Sequence, residues 1–410
     1  MSGLSRRQFL HRLGWAGGGL TVISGCGFIP PLPTFGTSAM EDAYSWVQLQ
    51  ADGTVHFYLP RAEMGQGIDT GLSKVVAQEL VIGLDQIHCH HQHTGLMAPC
   101  QMTVGSQSIE NYLDLTALAA ATLRQQLRQR AALRHQVTAT DITITPGGFQ
   151  LPDGEFVALQ DCLMPTEEVL VAQPGASDVE RLSQLPAQQR ARIDTNVQQI
   201  GAHEIVTGAA RYSRDTTLAD MAFGRVARPP QLGAKLLSFD ESAALSEHGV
   251  LSVARGPDGA IGLVAETPRQ LERGMLALNC QWQRLTDNDL AALQQDLDVD
   301  QLAQRGFDHT PINEGAINDG KAAAIVHVEA RYDTPMYAHA AMEPRAGVAD
   351  FKSNANGKSC EIWTGSQDPW LVRSAAARAV GLSEPDVIVH NSRIGGAFGG
   401  RLLCQASIEA

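Results

Sequence analysis

The stretch VHFYLPRAEMGQGIDTGLSKVVAQEL, residues 55–80, holds the change of period on which the fold reading turns. Val55, Phe57 and Leu59 alternate with His56 and Tyr58 as in a half-buried strand, and Asp52-Gly53 sets a turn ahead of them. Leu72, Val75, Val76 and Leu80 then recur at helical spacing, with Gly65-Gln66-Gly67 leading into a helix that begins near Asp69-Thr70. A strand carried through a glycine turn into a helix leaves backbone N–H groups at the helix start, where the dipole favours an anion. Two more stretches share the construction. Gly105-Ser106-Gln107-Ser108 precedes a helix starting near Ile109, and Gly365-Ser366-Gln367 precedes a helix with Asp368 as N-cap, Pro369 in first position and Gly381 as its stop. Gln suits a ligand that both donates and accepts, because it does either without adding charge. A fourth glycine run, Gly395 to Arg401, follows a strand from Val387 to His390 and offers Phe398 as its large side chain and Arg401 as a phosphate clamp. One such loop is an ordinary turn; four in one chain point to a large polyanionic heterocyclic cofactor.

Outward from these loops, the 410 residues allow about two to four globular units. The 44% hydrophobic and 18% charged content excludes a disordered chain, and a net charge of -13 excludes a nucleic-acid backbone as partner. The first region spans 44–162. Its long helix, Leu115 to Arg134, puts Leu118, Thr122, Leu123 and Leu127 on one face and Arg124, Arg128, Arg130 and Arg134 on a solvated side. Residues 163–200, with Pro165, Pro174 and Pro186, read as a linker, and 201–283 as a region of short strands and Gly/Pro turns. An acidic connection covers 284–322. The last region, 323–410, opens on a strand in which Val326, Val328, Ala330 and Tyr332 alternate with polar residues. The fold class is α+β.

Residues 1–30 differ from the rest. Arg6-Arg7 and the weakly apolar run after Arg12 have the layout of a twin-arginine export signal, which predicts a periplasmic protein folded around its cofactor before export. Ile23-Ser24-Gly25-Cys26 resembles a lipobox, so a lipid anchor on Cys26 and simple cleavage both stay open; an uncleaved span is disfavoured because the run falls short of the ~20 residues a bilayer needs. Seven cysteines with the closest pair eleven residues apart provide no iron-sulfur or structural zinc site, and they read as buried thiols. His88, His90, His91 and His93 split between two strand faces, as on an ordinary strand, with weak metal binding as the other reading. Gly315 to Lys321 spells most of a phosphate loop, but Ala322 stands where its Ser or Thr belongs, and the segment leads into a strand rather than a helix.

Glu63 to Gly71 resembles the Met-Gly-Gln-Gly segment of molybdopterin-binding subunits of the aldehyde oxidase and xanthine dehydrogenase family, and is most similar to the isoquinoline 1-oxidoreductase beta-subunit type. Thr207 to Tyr212, His339 to Pro344, Gly365 to Pro369 and Gly395 to Arg401 match in the family's order. The resemblance implies a molybdenum hydroxylase that oxidises an aldehyde or N-heterocycle with water as oxygen source. It implies a molybdenum-molybdopterin cytosine dinucleotide, a small partner subunit carrying the 2Fe-2S clusters, and either a cytochrome, of the c type, or a quinone as acceptor. Carried over, Gly65, Gln66, Gly67, Gly105, Ser106 and Gln107 hold the pterin and dinucleotide, Gln367 donates to an oxo ligand of the metal, and Phe398 and Gly399 line its other side with Gly395, Gly396 and Arg401 in the same loop. No side chain ligates the metal directly. Glu343 matches a Met-Glu-Pro motif without an assigned role, Ala397 replaces a family glycine, and 201–283 corresponds to the family's hammerhead-like α/β domain beside the mixed α/β cofactor-binding regions. Members are longer and carry a glutamate general base near their C-terminus that this sequence, ending at Ala410, does not include. The alternative expectation is a catalytically inactive, exported binding or assembly protein.

Overall fold

Alternation in the strands and 3.6-residue periodicity in the helices turn their apolar faces inward, into separate cores. The computed structural model describes residues 19–27, 42–97, 99–164, 168–172, 179–182, 198–231, 233–256, 259–286, 292, 295, 298–306, 314–332, 334, 337–355 and 357–410. Residues 1–217 and 339–410 form one compact unit and residues 218–338 a second.

In the first unit, β1 (Gly19–Gly27) and β2 (Asp42–Gln50) pair antiparallel, β2 pairs antiparallel with β3 (Val55–Tyr58), and β3 runs parallel to β4 (Ile87–His90). Helix α1 (Ile68–Leu80) makes the crossover that a parallel pair requires. Val47, Leu49, Val55, Phe57 and Leu59 point to the helix side and pack against Leu72, Val76 and Leu80 of α1 and against Tyr112, Leu115, Leu118, Leu123 and Leu127 of α2 (Ser108–His135). Burying each of these contributes roughly 1.5–3 kcal/mol. The period of two sends His56, Tyr58, His88 and His90 to the opposite face, where their rings stack. A three-stranded meander, β5 (Thr143–Thr145), β6 (Gly148–Gln150) and β7 (Phe156–Ala158), follows α2.

Two sequence expectations are corrected here. The polar 163–200 stretch is not a spacer throughout, because β8 (Glu168–Ala172) joins the sheet parallel to β1 and Leu182 is buried. Arg124 is buried rather than solvated: its guanidinium pairs with Glu79 at 2.6 Å and donates to the Glu180 carbonyl. Arg128 likewise donates to the Ile142 carbonyl at 2.7 Å, so these arginines tie α2 to the chain around it. Gly19–Gly27, within the segment expected to be an export signal, forms β1 with Cys26 opposite Ala43; Arg6 and Arg7 lie outside the described residues.

After the short helix α3 (Ala202–Thr207), the second unit has a sheet of β9 (Phe223–Val226), β11 (Val250–Arg255) and β12 (Ile261–Ala265), and a pair of β10 (Leu236–Ser238) with β13 (Gln281–Trp282). Helices α4 (Glu241–Ser246) and α5 (Pro268–Ala277) share a core of Ala244, Ile261, Leu263, Ala265, Leu271 and Leu278. Two short helices follow, α6 (Val299–Arg305) and α7 (Ile317–Ala323). Gly315 to Lys321 therefore leads into a helix and not a strand. The expected strand at Val326 to Tyr332 is also absent: the segment lies exposed with no paired strand among the described residues, and alternation by itself cannot satisfy a strand's backbone groups.

The first unit resumes with β14 (Gly347–Asn354) antiparallel to β15 (Gly357–Thr364), helix α8 (Pro369–Val380), β16 (Val387–Asn391) parallel to β15, and a last turn of helix, α9 (Ala406–Glu409). Asp368 caps α8 by accepting from the Leu371 amide, and Gly381 ends it in the left-handed conformation, as expected. This ββαβ module repeats the first. Residues 300 apart occupy equivalent places: Val81 and Gly381 end their helices in the left-handed region, and the Ile82 and Leu382 amides bond back to Ala77 and Ala377. Tyr58 stacks on His90 as Trp363 stacks on His390. The modules join where the ends of the equivalent strands meet antiparallel, through the His93–His390 bridge, the Thr94 amide on Val389 O and the Asn391 amide on Gln92 O.

Candidate functional site

This junction brings the four glycine loops to one place: those at 65–67, 365–367 and 395–400 come after β3, β15 and β16, and the one at 105–107 is tied in through Thr103. Their bases are tied by a chain of hydrogen bonds. The Ala62 amide donates to Thr103 Oγ1 (2.9 Å), the Thr103 amide to the Gln367 carbonyl (2.9 Å), Gln367 Nε2 back to Thr103 O (2.8 Å), and the Arg401 amide to Gln367 Oε1 (3.2 Å). Gln367 is 2% exposed and joins the loop segments at 103 and 401. The loop tips at Gly65-Gln66, Gly105-Ser106 and Phe398-Gly399 are exposed.

The first loop is wrapped around a carboxylate of its own. Glu63 is fully buried, and its Oε1 accepts from the Gly65 and Gly67 amides while Oε2 accepts from the Asp69 amide. The helix-start amides that sequence reading leaves open to a ligand are thus already filled by an internal anion. Arg393 balances it, pairing with Asp69 and lying 3.7 Å from Glu63. Gln66 uses both ends of its amide within the loop, accepting from the Met64 amide and donating to Ala62 O. Gly65 and Gly67 have φ of +103° and +72°, values that L side chains rarely adopt.

The Gly395 loop repeats this device. Glu343 Oε2 accepts from the Gly395 amide (2.8 Å) and from Arg401 Nη1 (2.9 Å), Glu343 Oε1 accepts from Ser213 Oγ (2.7 Å), and Arg401 Nη2 donates to the Glu343 carbonyl. Arg401 is only 1% exposed, which corrects its reading as a phosphate clamp: its guanidinium is committed to Glu343 and faces inward. A Cβ on Gly395 would lie 2.5 Å from Glu343 Cβ, so the glycine is required by that close approach. Ala397, which stands where the resemblance expects glycine, is buried beside Ala62 and Ile394, and its methyl packs beneath the loop. Phe398 is 70% exposed at the tip with φ +53°. Sequence reading misses Glu63 and leaves Glu343 without a role; the signal available for both is an acid two residues from a glycine loop or in a matched motif.

The loop before α2 differs. No side chain caps α2 at Gln107, and Gly105 and Ser106 are both left-handed, with φ of +67° and +57°. Consecutive left-handed residues, one carrying a Cβ, store about 1–2 kcal/mol of strain of the kind that collects at ligand clamps. Of the three helix starts, α1 is filled by Glu63, α8 by Asp368, and that of α2 stays free of a side-chain cap.

Burial dominates the electrostatics around the junction. It pushes the Asp368 carboxyl up to about 6, and Asp368 Oδ2 has no partner among the described residues. It depresses His90, His91 and His93 to about 4, with His56, Arg393 and His390 respectively adding repulsion. Cys89 is raised to about 12, and no disulfide occurs among the described cysteines. The histidines stack as neighbours on the sheet, and among the described residues no group of three or more His, Cys, Asp or Glu is arranged to hold a metal.

Two models of molybdopterin cofactor-binding domains match the sequence, one over residues 6–202 and one over residues 301–410, together about three quarters of the chain. Each contains one ββαβ module. A nicotinate dehydrogenase subunit of Pseudomonas putida is 26% identical over 365 residues, covering 86% of this chain and 29% of that protein. The beta subunit of isoquinoline 1-oxidoreductase of Brevundimonas diminuta is 25% identical over 409 residues, covering 89% of this chain and 52% of that one. The chain thus spans about half or less of these relatives. Quinoline 2-oxidoreductase of Pseudomonas putida 86 aligns with a TM-score of 0.40 and 18% identity over 53% of this chain and 32% of its own.

Proposed function

The chain belongs to the molybdopterin-binding subunits of the aldehyde oxidase and xanthine dehydrogenase family, and from that premise we propose that it is the cofactor-binding part of a molybdenum hydroxylase acting on an aldehyde or N-heterocycle. The observation that carries the reading is the hub at Gln367, from which three exposed, glycine-bearing loop tips emerge around one buried network. These residues fit the cofactor: the left-handed loops bare their backbones, and a Cβ on Gly65 would meet nothing within 4 Å. The start of α2 at Gly105-Ser106-Gln107, which has no side-chain cap, would receive a phosphate of the dinucleotide, with the helix dipole behind it. Gly65, Gln66 and Gly67 would flank the pterin, and Gln367, one of whose amide hydrogens is held by Thr103 O, would offer the other to an oxo ligand of the metal. Phe398, Gly399, Gly396 and Gly395 would line its other side. When bound, the molybdenum centre supplies the redox chemistry that adds water-derived oxygen to the substrate. The protein's part is to position the group and shield it.

The cytosine dinucleotide form, a small 2Fe-2S partner subunit and a c-type cytochrome acceptor belong to the same proposal. So does export by the twin-arginine route to the periplasm, with Cys26 as a lipid site. The scattered cysteines and the Arg6-Arg7 pair support them. The test is the natural chain purified with its partner from molybdopterin-producing cells. Molybdenum and a pterin fluorescent after oxidation should be present at about one per chain; the absence of both overturns the reading. In the same preparation Ser106→Gly relieves left-handed strain and should raise stability by about 1 kcal/mol while lowering pterin content, as expected where strain serves a ligand.

A further inference from the structure

The segment Arg393 to Arg401 is held at both ends by buried ion pairs, and the acids come from different parts of the sequence. Arg393 is fixed by Glu63 and Asp69, and Arg401 by Glu343. Between the arginines lie four glycines with Ile394, Ala397 and Phe398, a run with little side chain to hold it in place. Glu343 does more than pair: one oxygen fixes the Gly395 amide and Arg401 together, its amide donates to Gly395 O at 3.1 Å, and its other oxygen is oriented by Ser213. Gly395 is glycine because Glu343 is pressed against it. Arg401, in turn, passes its backbone amide to Gln367.

We propose that Glu343 is a positioning residue: its carboxylate, aimed by Ser213, fixes Gly395 and Arg401 so that the Phe398-Gly399 tip and the Gln367 amide are set before cofactor arrives. This rests on the cofactor reading above. A preset loop lets binding proceed without the entropy of ordering it. The charge logic is local, since among the described residues no other acid is paired with Arg401, and a neutral amide at 343 leaves the buried guanidinium without its counter-charge.

The experiment compares the natural chain with its partner subunit, as wild type, Glu343→Gln and Ser213→Ala, by three readouts: amide exchange in the 395–401 peptide, exchange in the 63–70 peptide, and pterin content. Glu343→Gln should speed exchange in 395–401 and lower pterin content, each about 10-fold, the usual scale for residues that orient ligating groups. Ser213→Ala keeps both charges and should show the same pattern at smaller size, so it decides the matter if Glu343→Gln does not fold. Exchange in 63–70, held by Glu63, should stay at the wild-type rate. Wild-type exchange in 395–401 in the variants overturns the proposal, and lost pterin with unchanged exchange shows instead that Glu343 touches the cofactor. If the wild type carries no pterin, the cofactor reading fails on its own and the exchange result still decides the positioning role.

Discussion

Asp368 combines two duties that sequence alone separates. As N-cap it accepts from the Leu371 amide through Oδ1, while burial lifts its carboxyl to about 6 and leaves Oδ2 without a partner among the described residues. A folded-state pKa above the ordinary carboxylate value means that the fold holds the proton more tightly than the unfolded chain. That stability is fully present below about pH 4 and is lost as the pH rises through about 6. Asp368→Asn keeps a capping oxygen and removes the titration. The variant should therefore exceed the wild type in denaturant stability at pH 7 by about 1–3 kcal/mol, and the gap should close toward pH 4. Cap, proline and glycine stop are legible as a local signal; the burial that shifts the carboxyl depends on segments far away.

Helix α2 shows what periodicity reads well and what it misreads. Its apolar face is as the spacing predicts, with Leu118, Leu123 and Leu127 buried. Composition assigns the arginine run to a solvated side, yet Glu79 of α1 waits opposite Arg124, and the Leu182 amide donates to the same carboxylate at 3.0 Å. Arg124→Met leaves Glu79 buried without its counter-charge and should cost about 3–5 kcal/mol by denaturant unfolding, while Arg124→Met with Glu79→Leu should recover most of the loss. Recovery below half would mean that the arginine's carbonyl contacts outweigh the ion pair. The Val326 to Tyr332 segment errs in the other direction. Its alternation is a strand's, but a strand is a relation between two segments, and no partner is described for this one.

At the scale of the molecule, titration of the histidines opposes that of Asp368. His90, His91 and His93 are depressed to about 4, first by burial, so their stability is present above about pH 6.5 and is lost as the pH falls through 4. His56 is lowered as well, again first by burial, and these four histidines against one carboxyl make acid destabilising. His91, enclosed with Arg393 and Asp69 nearby, contributes about 3 kcal/mol, and the less deeply buried His90 and His93 contribute less because water screens them. The denaturant midpoint should fall between pH 6.5 and 4.5, and His91→Gln should flatten that fall; an equally steep fall in the variant removes His91 as its cause.

The sequence by itself determined the elements around each glycine loop, the α+β class, and the family, because these rest on neighbours within a turn or a strand and on ordered local motifs. Only the tertiary structure decided that two ββαβ modules 300 residues apart are copies joined end to end. It alone showed that Glu63 and Glu343 fill glycine-loop amides, and that Arg401 faces inward. The reason is physical: a buried charge is defined by its partner, and here the partners lie up to 330 residues apart along the chain, as Glu63 and Arg393 do. A loop's amides look open in sequence until the fold brings a carboxylate to them.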